Sequence, residues 1–412
     1  MSLLYNFFIY TYLLAIHISA FFNAKAKKWV QGRKQIFRQF EKNIDTNKKI
    51  IWFHCASLGE FEQGRPVMEA FREKHPEFKI LVTFFSPSGY EIRKSYKGAD
   101  HIFYLPMDTR RNARRFIRFV HPELVFFIKY EFWFNYLNYL KINNIPVFLV
   151  SGIFRPSQHF FQIYGGWFRR RLQSFSYFFV QNSDSMQLLH RINLESVIIS
   201  GDTRFDRVFS IASQAKDFPL VKQFADGNQV FLAGSSWPAD EILINELVKQ
   251  EIPGLKFIIA PHEVHPEHIN ALLEMLPKPA LKFSEANEEN IHSTDILVVD
   301  SIGILSGLYR YATMAYIGGG FGKGIHNILE AATFGIPVIF GTQYHKFQEA
   351  IDLIALNGAF TIKTATELQM VCQSLLFNND AYQKSADACR QYVENNRGAT
   401  DKVLSVAELY LK

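Results

Sequence analysis

Three stretches place reactive or ligand-binding residue types directly behind apolar runs, where a sheet presents them along one edge. The first is His54-Cys55-Ala56-Ser57-Leu58-Gly59-Glu60, behind an apolar run at 50–54. Its small residues suit a tight strand-to-helix turn, and an acid in the first turn of a helix is kept ionised by the helix dipole. Glu60 therefore has two readings: a helix-start acid, or a general base for a substrate hydroxyl. His54 and Cys55 point to opposite faces of a strand and do not make a thiol–imidazole pair. The second stretch is Lys129-Tyr130-Glu131-Phe132-Trp133-Phe134-Asn135, behind a run at 124–130. Glu131 is either a capping or ion-pair acid or a carboxylate facing a ligand. The third is Gly318-Gly319-Gly320-Phe321-Gly322-Lys323-Gly324-Ile325-His326-Asn327-Ile328-Leu329-Glu330, behind a run at 314–317 and leading into a helix.

Glycines in the third stretch let backbone N–H groups approach a ligand, and a helix start attracts an anion. It is not an ATP-binding P-loop: three residues separate Gly318 from Gly322, and Gly324 follows Lys323. Nor does it fit the dinucleotide pattern GxGxxG. What remains is a nucleotide or sugar site, with Glu330 placed to accept hydrogen bonds from ribose hydroxyls, or else a glycine-rich hinge.

A basic surface adds to these. Arg110, Arg111, Arg114, Arg115 and Arg118 recur at helical spacing, and Tyr164-Gly165-Gly166-Trp167-Phe168-Arg169-Arg170-Arg171 mixes aromatic and guanidinium groups. This is either a solvated helix face or a surface for lipid phosphates, which Arg binds with forked donors. No Asp-x-Asp pair and no Cys-x-x-Cys occurs, so neither metal-clamped diphosphate chemistry nor a zinc site is expected.

The elements that must position these residues alternate along the chain. Strands are expected at 50–54, 79–84, 101–104, 124–130, 146–151, 177–180 and 197–200, with helices between most of them, such as 60–75 and 109–120. A polar, weakly patterned stretch at 207–227 reads as a linker. The alternation restarts with strands at 229–233, 256–260, 296–299, 314–317, 337–340 and 359–362. This predicts two successive α/β domains, each a doubly wound parallel sheet covered on both faces. Ligands of such sheets lie outside the carboxyl ends of the strands, here in a cleft between two facing domains. The expected boundaries are an anchor and basic segment at 1–30, a first domain at 31–206, the linker at 207–227, and a second domain at 228–412 whose last helix can pack on the first.

The 412 residues are 48% hydrophobic and 20% charged, which excludes a disordered chain. The net charge is +6, but residues 1–50 alone carry +7, so the remainder is not a nucleic-acid-binding surface. The apolar stretch 3–22 is about as long as a bilayer core is thick and is followed, not preceded, by basic residues. A secretory signal has the opposite order. The reading is a membrane anchor, spanning or lying in the interface, that holds the following domain on the cytoplasmic side against anionic lipid. A buried amphipathic helix is the other reading. Three cysteines, Cys55, Cys372 and Cys389, suit a reduced compartment.

Taken together, the motifs resemble the 3-deoxy-D-manno-octulosonic acid (Kdo) transferases of Gram-negative bacteria. The family's Ser-x-Gly-Glu is matched by Ser57-Leu58-Gly59-Glu60, and its Glu-Leu-Trp-Pro-Asn by Glu131-Phe132-Trp133-Phe134-Asn135. Its Gly-x-Leu-Lys-Phe-Asp is matched by Gly201-Asp202-Thr203-Arg204-Phe205-Asp206, and its Gly-Gly-His-Asn-Pro-Leu-Glu by residues 324–330. The chain departs from the family in having Pro261-His262-Glu263-Val264 for Pro-Arg-His-Pro, Gly303-Ile304-Leu305 for Gly-Glu-Leu, and Ile325 for a second glycine.

The resemblance implies a GT-B glycosyltransferase at the bacterial inner membrane that moves Kdo from CMP-Kdo to a lipid A precursor, with inversion and without a cofactor or metal. It implies Glu60 as catalytic base, with Glu131 and Arg204 as auxiliary charges. CMP contacts map to Pro261 and His262, to Ile302, Gly303 and Ile304, and to Asn327, Ile328, Leu329 and Glu330. Two alternatives stand beside it: a GT-B lipid glycosyltransferase using a UDP-sugar, and a membrane-anchored nucleotide-sugar-binding protein without turnover.

Overall fold

The computed structural model describes residues 2–130 and 132–411. Fourteen strands among them form two parallel seven-stranded sheets. The first sheet contains β1 (Ile50–Cys55), β2 (Lys79–Phe84), β3 (His101–Tyr104), β4 (Leu124–Ile128), β5 (Val147–Gly152), β6 (Tyr177–Val180) and β7 (Val197–Ile199), in the order β3-β2-β1-β4-β5-β6-β7. The second contains β8 (Gln229–Ser236), β9 (Leu255–Pro261), β10 (Leu281–Lys282), β11 (Ile296–Val298), β12 (Met314–Ile317), β13 (Val338–Phe340) and β14 (Ala359–Thr361), in the order β10-β11-β9-β8-β12-β13-β14. The two-residue β10 is too short to leave a pattern in the sequence.

Strands β1 and β4 are buried along their whole length, so their sequences run apolar without alternation. Alternate residues still feed different cores. Ile50 and Trp52 join one cluster with Phe116 and Tyr136, while Ile51, Phe53 and Cys55 join another with Phe61 and Phe71 of helix Leu58–Lys74. β4 stops at Ile128, short of the expected residue 130, because Lys129 turns the chain with φ +67°. In each sheet the strand order reverses about the first strand, between β1 and β4 and between β8 and β12. Carboxyl-end loops diverge at such a point and leave a crevice.

The chain divides into two compact units, one running through Arg207 and resuming at Arg397, the other Val208–Asn396. The stretch expected as a linker is instead largely helical. Helix Thr203–Ser213 runs through the division, and helix Pro219–Ala225 buries Val221 and Phe224. Two apolar residues one turn apart sufficed for a packed helix in a stretch whose average composition is polar.

Helix Ala399–Glu408 lies in the first unit. Val403, Leu404 and Ala407 enter that core, and the Asp206 carboxylate accepts the N–H groups of Gly398 and Thr400, both at 2.7 Å. Helix Ser2–Ser19 also packs on the first unit. Tyr5, Asn6, Ile9, Leu13 and Ile16 form its inward stripe, and Leu3, Phe7, Phe8, Leu14 and Ile18 are exposed.

Candidate functional site

The first candidate site is built at the β1/β4 reversal. Ser57 caps helix Leu58–Lys74, and Glu60 sits in its first turn. Glu60 Oε2 accepts the Ser57 N–H at 3.0 Å and also the Ser57 hydroxyl, so the carboxylate is held at the mouth of the crevice by its own turn. It is half-buried. Around it, carboxyl-end loops bring Tyr130 after β4, Arg155 after β5 and Asp202 after β7 into one electrostatic neighbourhood. Burial raises the Tyr130 hydroxyl pKa, Arg155 lowers it, and Asp202 and Glu60 raise it further.

Arg204 is aimed by Asp202, which takes its Nε–H at 2.8 Å and its backbone N–H at 2.9 Å, while Gln63 donates to the same carboxylate at 3.0 Å. The guanidinium remains partly exposed. Glu131 lies outside the described residues. Its neighbour Trp133 donates Nε1–H to His54 Nε2 at 2.9 Å, and Asn135 turns inward to hydrogen-bond the Asp108 carbonyl at 2.6 Å.

The second candidate site is built at the β8/β12 reversal. Helix Pro238–Val248 starts directly after β8, with Trp237 at its cap and Pro238 in its first turn, where a missing N–H costs nothing. Buried Asp240 accepts the N–H groups of Trp237 and Gly319 at 2.9 Å each and the Tyr316 hydroxyl at 2.7 Å. One carboxylate thus ties the helix start to the glycine loop.

The glycines are there for close backbone approach. A Cβ on Gly318 would stand 2.1 Å from the Ser235 carbonyl oxygen, and one on Gly320 would stand 2.5 Å from the Gly341 nitrogen. A cavity of about 450 Å³ opens between Trp237, Asp240, Gly319, Phe321, Lys323 and His326. Trp237, His262 and His326 stack beside it, with ring centroids 4.6 Å apart for Trp237–His262 and 4.4 Å for His262–His326. Burial, helped by His262, lowers the His326 pKa, and Asp240 opposes the shift. The wall is therefore a flat aromatic surface with an uncharged imidazole at neutral pH, suited to a planar base or a sugar face.

The other residues singled out from sequence lie in three stretches. Pro261 ends β9, and His262 follows it into the ring stack. Asn327 donates to Glu330 at 3.1 Å, and Glu330 lies near the buried Tyr309 hydroxyl. Ile328 and Leu329 turn their side chains into the core, so only their backbone can meet a ligand. Ile302 is 86% exposed, Gly303 turns with φ +91°, and Ile304 caps the short helix Leu305–Leu308.

The helix expected directly after the glycine loop is only Leu329–Ala332, and Ile325, which stands where the resembled family has a second glycine, is buried. The loop is held instead by Asp240 and by Ile325 N–H donating to the Gln343 carbonyl. Sequence reading missed Trp237 and Asp240. Their signal was present in Trp237-Pro238-Ala239-Asp240, a proline and an acid at the helix positions that favour them.

Residues 31–207 match the family of 3-deoxy-D-manno-octulosonic-acid transferases (kdotransferases). The chain is 27% identical over 375 residues to the 3-deoxy-D-manno-octulosonic acid transferase of Haemophilus influenzae, covering 88% of this chain and 87% of that one. The chain is thus similar to Kdo transferases over most of its length. The Kdo transferase of Aquifex aeolicus is 26% identical over 351 residues, covering 83% of this chain and 91% of its own.

The fold has solved counterparts. The UDP-GlcNAc 2-epimerase from Neisseria meningitidis superposes with a TM-score of 0.61 at 16% identity, over 87% of this chain and 98% of that one. A glycosyltransferase from Rickettsia africae superposes at 0.56 and 14%, over 89% and 99%. At these identities the likeness establishes the fold, the GT-B arrangement of two Rossmann-like units. This chain, similar to Kdo transferases, is thus a glycosyltransferase with a capped carboxylate at the reversal of its first sheet and a glycine-lined cavity at that of its second.

Proposed function

We propose that this chain transfers Kdo from CMP-Kdo to the lipid A precursor lipid IVA, with inversion at the anomeric carbon, in lipopolysaccharide core synthesis. The observation that carries the reading is Glu60, a carboxylate fixed by a capping box at the reversal point of the first sheet. The family relationship supports the choice of donor and acceptor.

In the reaction, an acceptor hydroxyl oxygen bonds to the anomeric carbon while that carbon's bond to the phosphate oxygen of CMP breaks. The hydroxyl proton passes to Glu60, and CMP leaves with the bonding electrons. A carboxylate is a sufficient base, because the hydroxyl acidifies only as its oxygen attacks. Arg204, aimed by Asp202, stabilises negative charge at this edge, and Glu131 stabilises the cationic character of the sugar carbon. The second unit holds CMP: the Trp237–His262–His326 wall receives the base, and Asn327 and Glu330 receive ribose. His262 acts by stacking, in place of the arginine that other family members carry nearby. The side chains alone supply this chemistry, and no cofactor or metal takes part in the proposed reaction.

The protein works at the cytoplasmic face of the inner membrane. Helix Ser2–Ser19 meets the first unit along its whole length, so it lies in the interface rather than crossing the bilayer, with Leu3, Phe7, Phe8 and Leu14 turned toward lipid. Helix Arg110–Val120 presents Arg110, Arg111, Arg114, Arg115 and Arg118 around an open recess of about 650 Å³, and Arg110 bonds the Ser2 hydroxyl at 2.6 Å. Arg110 thus meets the start of the apolar helix, which supports binding of anionic lipid phosphate by this face.

The direct test incubates the full chain with labelled CMP-Kdo and lipid IVA in detergent and separates the lipid products. Label moving to lipid from CMP-Kdo, and not from a UDP-sugar, is the expected result. Transfer from the UDP-sugar alone, or from neither donor, sinks the reading.

A further inference from the structure

Asp108 follows β3 by four residues and is completely buried. Its carboxylate accepts the Tyr5 hydroxyl at 2.5 Å, the Asn135 N–H at 3.1 Å and the Tyr136 N–H at 3.0 Å. Asn135 and Tyr136 are the second and third residues of helix Phe134–Ile142, whose own cap residue Trp133 makes no side-chain cap bond. Asp108 therefore caps that helix from another element and shares the same carboxylate with the N-terminal helix. Asn135 reinforces the junction, donating to the Asp108 carbonyl at 2.6 Å and to Asn6 Oδ1 at 3.2 Å.

A second line of contact reaches the same segment. Tyr12 stacks on Phe85 with centroids 6.3 Å apart, Phe85 packs on Trp133 at 4.7 Å, and Trp133 donates to His54 in β1. The N-terminal helix thus meets the first turn of the helix that follows β4 directly and its cap residue Trp133 through Phe85. The loop between them includes Tyr130, within electrostatic reach of Glu60.

We propose that helix Ser2–Ser19 is a positioning element of the first-unit site as well as an anchor: Tyr5, through Asp108, sets the start of helix Phe134–Ile142 and so the loop after β4. Tyr5 and Asp108 are positioning residues, since neither reaches the crevice itself. Seating the helix at the membrane and ordering the loop become one event. A protein whose helix is unseated carries a loosened site and turns over slowly away from lipid. The inference rests on the proposed role of this edge in transfer.

Tyr5→Phe removes one hydroxyl and keeps the ring packed on Phe134 and Trp167. The experiment compares it with the wild-type full chain on vesicles of phosphatidylethanolamine and phosphatidylglycerol. Three quantities are read: kcat and KM with CMP-Kdo and lipid IVA, the fraction bound to vesicles, and hydrogen exchange of the peptide spanning residues 132–140. The expected result is a kcat lower by about 10- to 100-fold, as for small misplacements of reacting groups. Donor KM and vesicle binding stay unchanged, and exchange at residues 132–140 quickens. Asp108→Asn combined with Tyr5→Phe should lose little more than the worse single variant, because both act through one junction.

Wild-type kcat and exchange in Tyr5→Phe overturn the proposal. So does a loss of rate that tracks loss of vesicle binding, which makes the helix an anchor only. Should the wild type itself transfer nothing, the proposed function fails, and the exchange measurement still decides whether Tyr5 orders this segment.

Discussion

The Trp237 indole donates its Nε1–H to His326 Nε2 at 2.9 Å. A ring nitrogen that accepts carries no proton, so this bond requires His326 to be uncharged, with its hydrogen on Nδ1. Burial and the neighbouring His262 favour the same state by lowering the His326 pKa below its usual 6.5.

That bond gives the second unit a pH signature. A group whose folded pKa is depressed contributes stability that is present above its unfolded pKa and lost as pH falls through the folded one. Wild-type protein should therefore lose stability to urea below pH 6.5, with a change in Trp237 emission, while His326→Gln should lack this loss. Parallel acid profiles for the two proteins count against the assignment.

Glu60 has two duties that substitution separates. Glu60→Gln keeps a capping-box side chain but takes no proton, so transfer should fall by about 10²–10⁴ with little change in melting temperature. Glu60→Ala should lose the activity and, in addition, about 0.5–2 kcal/mol of cap stability. Steady-state rates beside thermal melts check both, and near-normal turnover in Glu60→Gln moves the base elsewhere, with Glu131 next to test.

Gly320→Ala places a methyl group 2.5 Å from the Gly341 nitrogen, backbone against backbone. The loop cannot yield by rotating a side chain, so overpacking should cost about 1–3 kcal/mol and displace Gly319 from Asp240. Calorimetric titration with CMP should show weakened binding. Gly322→Ala, with only the Gly319 carbonyl at 3.7 Å, should be far milder.

Burial pushes the Asp108 carboxyl up to about 6 from its usual 3.8, against the bonds from Tyr5, Asn135 and Tyr136. The folded state then holds the proton more tightly than the unfolded one. Its contribution to stability is largest below pH 3.8 and declines as pH rises through about 6. The titratable groups facing it are Tyr5 and Tyr136, the latter also sensing Arg33. Asp108→Asn should flatten the pH dependence of unfolding between pH 4 and 6, a window that denaturant titration of wild type and variant resolves.

The arginine face predicts a salt-sensitive membrane contact. Arg111, Arg114 and Arg118 replaced together by Glu should lower binding to phosphatidylglycerol vesicles at low salt and leave CMP binding intact. Flotation assays at two salt concentrations measure it. Unchanged flotation would leave the apolar helix as the sole contact.

Most strands and their order were legible in the residues alone. Fully apolar runs such as Leu124–Ile128 imply strands covered on both sides, and alternation with amphipathic stretches implies parallel sheets with ligands at the carboxyl ends. Glu60 was legible because Ser57 and Glu60 are three residues apart, so their capping box forms within one turn. Pairings across long sequence gaps were not legible there. Asp240 under Gly319, Tyr5 on Asp108 and Asp206 under helix Ala399–Glu408 depend on strand order and on which loops diverge at each reversal. The polar stretch after Arg207 misled for a related reason: average composition marks it as a linker, yet burying Val221 and Phe224 against distant neighbours makes part of it a packed helix. Asn135 shows the difference within one motif. It ends the stretch that contains Glu131, yet its backbone N–H and side chain hold Asp108, and through it the N-terminal helix, because a buried carboxylate must have its donors supplied from whatever elements the fold brings to it.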